Sequence, residues 1–266
     1  MSTPADRDNP FAPPRATLEE PPAGQGELVP EGLKLPGGRG GTWIADGWRL
    51  FLRSPGVWIV MTIIFFVLWV ILTLIPFLGA IVTNMLFPVF IAGIMIGCQK
   101  LEDNQLLNIG DLFAGFSRNA GSLLLLGLLY LAGFVVIMIV VFALFGASFL
   151  PVLFRGGRDV AGTVMPSMML MLLALLVGML LAMPLYMAIW FAPALVVFHD
   201  MAPVAAMRSS FRGCLHNLVP FLLYGVILFV LAIVASIPVG LGWLVLAPVI
   251  WGSLYASYRD VFLQPA

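Results

Sequence analysis

Charge is the scarcest commodity in this 266-residue chain: Asp, Glu, Lys and Arg together make up 10% of it, in equal numbers of 13 acids and 13 bases. Soluble domains carry about 25%. The balance of signs and the lack of any basic stripe exclude nucleic acid as a partner. Only two cysteines occur, Cys98 and Cys214, with no CxxC pair, so no disulfide framework exists. The first 42 residues contain no apolar core of the kind a cleavable signal peptide needs. Catalytic patterns are missing too. Neither Gly-x-Ser-x-Gly nor His-Glu-x-x-His occurs, and Ser209, Ser210 and Ser253 have no acid–base partner at triad-like placement. The reading is therefore non-enzymatic, with no cofactor.

What fills the sequence instead is apolar, 61% of all residues, with a mean hydropathy of +1.06. No water-soluble core of this size absorbs such an excess, and lipid is its natural solvent. From Arg53 to Lys100 no charged residue intervenes. A helix of that length runs about 69 Å at 1.5 Å per residue, twice the roughly 30 Å hydrocarbon core. The run must fold back, and Ile75-Pro76-Phe77-Leu78-Gly79 is where it does so. This predicts spans near 57–75 and 78–98. The uncharged stretch 119–154 predicts a third near 121–147, followed by the polar loop Arg155-Gly156-Gly157-Arg158-Asp159. A fourth, kinked at Pro184 and Pro193, is predicted near 167–198. Ile237-Pro238-Val239-Gly240 divides the last run into spans near 218–236 and 240–258. The fold class is all-α integral membrane, about six transmembrane helices in hairpins.

Ahead of the spans lies a Pro-rich segment, 1–36, expected to be a disordered cytoplasmic tail before a membrane domain over 37–262. Gly37-Gly38-Arg39-Gly40-Gly41 reads as a flexible joint. Trp43, Trp48, Phe51 and Leu52 share one helical face and Asp46, Arg49 and Arg53 the other, as in an amphipathic helix lying at the interface.

The two ends of the chain repeat each other. An aromatic–basic lead (Trp48-Arg49; Phe211-Arg212) precedes an apolar helix, then Ile-Pro, then a second helix with Pro-Val at Pro88 and Pro248. Small residues follow: Gly93 and Gly97 in one copy, Gly252 and Ala256 in the other. Such pairs let helices pack backbone to backbone in lipid. In the middle third, Phe116-Ser117-Arg118 is the lead. Either Pro184 with Ala188 and Ala192, or Ala192-Pro193, stands for the second helix.

Arg49, Arg53, Lys100, Arg118, Arg208, Arg212 and Arg259 gather on one side of six spans, against Arg155 and Arg158 on the other. Lys and Arg favour the cytoplasmic side, so both termini are expected there. Arg49, Arg53, Arg118, Arg208 and Arg212, each beside aromatics, form a candidate cuff for anionic lipid headgroups or only set orientation. No span carries a central charge, which weighs against an ion-coupled pump. Asn84 is the most polar residue well inside a span. Cys98, His199, Cys214 and His216 share one side but lack a zinc-finger spacing, and no metal site is assigned. Met165, Met168, Met169, Met171, Met179, Met183 and Met187 read as flexible apolar filler rather than a soft-metal path.

The entry Gly38 to Phe51 and the ending Ser253 to Phe262 resemble an uncharacterised family of proteobacterial inner-membrane proteins. A looser resemblance links the hairpin pattern to membrane domains beside some glycerophosphodiester phosphodiesterases. The resemblance implies the bacterial inner membrane and no assigned activity. Partners are then membrane lipids, with a protein partner or homo-oligomer also open. A lipid- or partner-organising role is expected. The alternative is a transporter or exporter of a neutral or hydrophobic solute, which needs a deep midplane cavity at the proline kinks.

Overall fold

The computed structural model describes residues 26–76, 78–154 and 160–264, with side chains omitted over 147–154 and 160–166. The loop Arg155–Asp159, Met165's side chain and the segment 1–25 lie outside the described residues.

Proline and glycine divide the apolar runs where expected. Helix α2 (Pro55–Thr73) turns back into α3 (Leu78–Glu102), and α9 (Leu218–Ser236) into α10 (Trp243–Phe262). The middle hairpin joins α5 (Ala120–Phe154) to α6 (Val160–Trp190), which continues after a break at Phe191 as α7 (Ala192–His199). Each hairpin has a lead: α1 (Arg39–Arg53), a 3-10 turn at Ile109–Phe113 with α4 (Ala114–Ser117), and α8 (Pro203–His216). A small polar residue, Ser54, Asn119 or Asn217, marks each passage from lead to span, and its carbonyl accepts the first helical hydrogen bond at 3.0–3.1 Å.

The three units close into a ring. Helix α3 packs on the lead of the second unit, α6 and α7 on that of the third, and α10 on α1, the lead of the first. Each lead also touches the first helix of the unit before it: α1 with α9, the 3-10 turn with α2, α8 with α5. Pro88, Pro184 and Pro248 stand fourteen or fifteen residues before the ends of their helices, at Glu102, His199 and Phe262. This favours Pro184 over Pro193 as the middle counterpart. The core lies where the second helices converge, at Val89–Cys98, Phe191–Val197 and Leu246–Tyr258.

Outward, the bundle inverts the rule for soluble proteins. Phe142, Leu180, Leu222 and Phe229 are exposed, while Thr62, Thr83, Ser210, Asn217, Ser253 and Ser257 are buried. Cohesion in lipid comes from close packing and interhelical hydrogen bonds rather than from hiding oil from water. Tyr224 and Ser253 share such a bond at 2.8 Å.

Five helices are long and apolar enough to cross a membrane among the described residues: 55–73, 78–102, 120–146, 167–199 and 218–236. The sixth expected span, α10, falls short because Ser253, Tyr255, Ser257, Tyr258, Arg259 and Asp260 lower its hydropathy. With those five crossing, parity makes α10 the sixth. Strand β1 (Glu27–Leu28) pairs antiparallel with β2 (Leu263–Gln264), so the chain enters and leaves at the same end of the bundle. An odd number of crossings would separate those strands by the membrane. At 20 residues, α10 spans about 30 Å, one hydrocarbon thickness.

Three expectations change. The segment 26–36 is a docked strap rather than tail: the Leu33 amide donates to the Val261 carbonyl, and the Leu35 amide to Asn217 Oδ1 at 2.8 Å. Gly40 and Gly41 are helical, not a joint, because a Cβ at Gly40 would lie 2.2 Å from the Pro220 carbonyl oxygen. Close approach to α9, not freedom, is what the glycine supplies. Lead α1 buries Trp43, Gly47, Leu50 and Phe51 against α9 and α10, leaving Trp48 and Leu52 exposed, so its inner face meets protein rather than lipid.

Candidate functional site

The small residues sit at the ring's joints. A Cβ on Gly93 would come within 2.6 Å of the Asp111 and Leu112 carbonyl oxygens, and one on Gly97 within 2.8 Å of Leu107. Gly252 faces Gly47 across the α1–α10 crossing, and Ala256 is half-buried nearby on α10.

Of the five arginines, three are engaged within the protein. Arg49 pairs with Asp46 at 2.9 Å, Arg53 donates to the Leu101 carbonyl, and Arg212 pairs with Glu31 of the strap. Arg118 and Arg208 are exposed and make no ion pair among the described residues. Three acids at this polar end are also neutralised. Asp260 accepts from Arg39 and, at 2.7 Å, from the Trp43 indole. Glu102 pairs with Arg259 and accepts from the Tyr255 hydroxyl at 2.8 Å. Buried Asp111 holds Lys100 at 2.6 Å and caps its own turn through the Asn108 amide.

The other polar candidates have local uses. Asn84 donates to the Ala80 carbonyl of its own helix. His199 shares a 2.6 Å hydrogen bond with the Tyr258 hydroxyl, and Cys214 approaches the Met187 carbonyl at 3.6 Å. Burial pushes the Cys214 thiol up to about 12, against a smaller opposing effect of Ser210. Among the described residues no three His, Cys, Asp or Glu side chains are placed to hold a metal ion. Met168, Met169, Met171, Met179 and Met183 point outward, so they form no internal thioether path.

What sequence reasoning missed is the gap between α6 and α9. The ring packs tightly where α3 meets α5, with Gly127 against Met85. The equivalent contact between α6 and α9 stays open as a groove of about 700 Å³. Met183, Met187, Trp190, Phe221, Tyr224 and Phe229 line it, and Cys214 and Leu218 stand toward its polar end. The Trp190 indole N–H is buried without an acceptor among the described residues. A buried orphan donor is costly unless a bound group supplies the acceptor. A smaller apolar groove of about 610 Å³ opens at the related place between α2 and α10, around Phe65 and Trp251.

The chain is 28% identical over 245 residues to a Burkholderia thailandensis protein described as a probable inner membrane protein, a match covering 84% of this chain and 90% of that one. No family model matches, and no solved structure does either. The likeness supports kinship with an uncharacterised inner-membrane protein and gives no support to the link with glycerophosphodiester phosphodiesterase domains.

Proposed function

We propose that this is a non-enzymatic protein of the bacterial inner membrane, both termini cytoplasmic, that holds phospholipid in the lateral groove between α6 and α9. The observation that carries the reading is the groove itself: apolar, about 700 Å³, and walled by the aromatics Trp190, Phe221, Tyr224 and Phe229. Aromatic side chains favour the headgroup level. An acyl chain would lie along Met183 and Phe229, with the ester region toward Cys214 and Leu218 at the polar end. Arg208 stands exposed and without an ion pair among the described residues on α8, six residues before Cys214, which walls the polar end of the groove. Orientation rests on the Lys and Arg excess at the end carrying the leads.

Transport of a hydrophobic solute is the second reading, and the same lateral opening is what favours it. It differs in requiring the groove to exchange its contents across the membrane.

Gly225 lines the groove, and a Cβ there meets nothing within 4 Å, so Gly225→Trp sends its side chain from an unobstructed Cβ into the space a lipid would take. Native mass spectrometry of protein released from its own membrane should show bound phospholipid on the wild type and about one fewer on Gly225→Trp. Equal lipid counts would refute the groove as the binding place.

A further inference from the structure

A more polar cavity, of about 500 Å³, lies where the ends of α3, α7 and α10 converge, and it shares no residue with the α6–α9 groove. Three aromatic rings form one wall. Phe198 lies 5.5 Å from Tyr258 and 6.3 Å from Tyr255, and the two tyrosines are 6.3 Å apart. Gln99 from α3 and Arg118 from the second lead supply polar side chains, and Glu27 supplies another from the strap. None of these three has a side-chain hydrogen bond or ion pair among the described residues, whereas ten other charged side chains are joined in five ion pairs. His199 and Tyr258 engage each other at the cavity wall.

We propose that this recess binds a phosphate–ammonium zwitterion, the ethanolamine phosphate group, either free or as a lipid headgroup. Each part of the ligand has its counterpart. The guanidinium of Arg118 matches phosphate oxygens as a planar fork, with the Gln99 amide beside it as a further donor. The Glu27 carboxylate pairs with the ammonium, and the partly exposed ring of Phe198, backed by the buried Tyr255 and Tyr258, lines the same cavity. A simple anion would leave Glu27 opposing it, and a simple cation would be opposed by Arg118. Only a ligand carrying both charges satisfies both. Glu27 sits on the strap, which β2 pairs with and which Asn217 and Arg212 hold in place, so the ammonium partner is positioned by contacts remote from the cavity.

The test uses the purified full chain and its unfolding temperature. O-phosphoethanolamine is titrated in detergent beside phosphate alone and ethanolamine alone, and nanodiscs of phosphatidylethanolamine are compared with nanodiscs of phosphatidylglycerol. Saturable stabilisation by O-phosphoethanolamine, about tenfold tighter than by either half, identifies a free ligand. Stabilisation only in phosphatidylethanolamine nanodiscs identifies the headgroup. In either case Arg118→Gln and Glu27→Gln should each weaken the effect about tenfold, as the loss of one charge-assisted hydrogen bond does, while Lys34→Gln, exposed and outside both cavities, leaves it unchanged. No saturable effect in either arm overturns the proposal. So does an effect that survives Arg118→Gln, or phosphate binding as well as the zwitterion. The groove reading is read out separately, by lipid count on Gly225→Trp.

Discussion

Gly47 and Gly252 meet backbone to backbone: a Cβ built on Gly252 would lie 3.0 Å from the Gly47 Cα, and one on Gly47 only 2.3 Å from the Val249 carbonyl oxygen. This contact joins the first lead to the last helix and closes the ring of three units. Gly47→Leu and Gly252→Leu should each force α1 off α10. Overpacking costs about 1–3 kcal/mol, which corresponds to several degrees of unfolding temperature. Differential scanning fluorimetry in detergent, with Leu68→Ile as control, checks this. Melting equal to the control would show that the helices separate freely there.

Asn217 ties the strap to the bundle from both sides of its amide. Its Nδ2 donates to the Leu33 carbonyl and to the Gly213 carbonyl at 2.8 and 2.9 Å, and its Oδ1 accepts from the Leu35 amide. Asn217→Ala leaves buried backbone groups unpaired, at about 1–3 kcal/mol each. The variant should melt several degrees lower and lose the strap to limited proteolysis first. A chain starting at residue 37 should be less stable than one starting at residue 26, because only the first lacks the strap. Equal stability of the two would mean that the strap contributes nothing.

Cys214 is buried on α8, and burial holds its thiol near 12, so at pH 7.5 it is almost wholly protonated. The thiolate is the nucleophile, and a raised pKa depletes it. A maleimide should therefore label Cys214 in the native protein at a small fraction of its rate in denaturant. Fast native labelling would place α8 elsewhere than against α6.

Much of the architecture is legible in the sequence because proline and glycine punctuate apolar runs: the turns at Pro76 and Pro238 are where the structure makes them. Aromatic–basic leads are legible too, since their composition differs sharply from the spans. The strap is not, because its partners are remote in sequence: Leu33 bonds Val261, and Leu35 bonds Asn217. Nor is the helical state of Gly40, where a close approach to Pro220 outweighs the low helix propensity of glycine. The candidate sites are harder still. Arg53 and Arg212 read like Arg118 and Arg208 in sequence, and only the three-dimensional pairing shows which are already engaged. The α6–α9 groove is a missing contact between segments, and composition carries no record of a gap.

The account stands on six crossings from five strongly apolar helices, with α10 as the buried return. Single-cysteine accessibility tests this directly. In a background of Cys98→Ala and Cys214→Ala, Val239→Cys places a thiol in the exposed turn before α10, and Arg208→Cys places one on the exposed face of α8. A membrane-impermeant maleimide applied to intact spheroplasts should label Val239→Cys and leave Arg208→Cys untouched until the membrane is opened. Labelling of both positions from the same side would contradict the topology, and with it the ring of three hairpins.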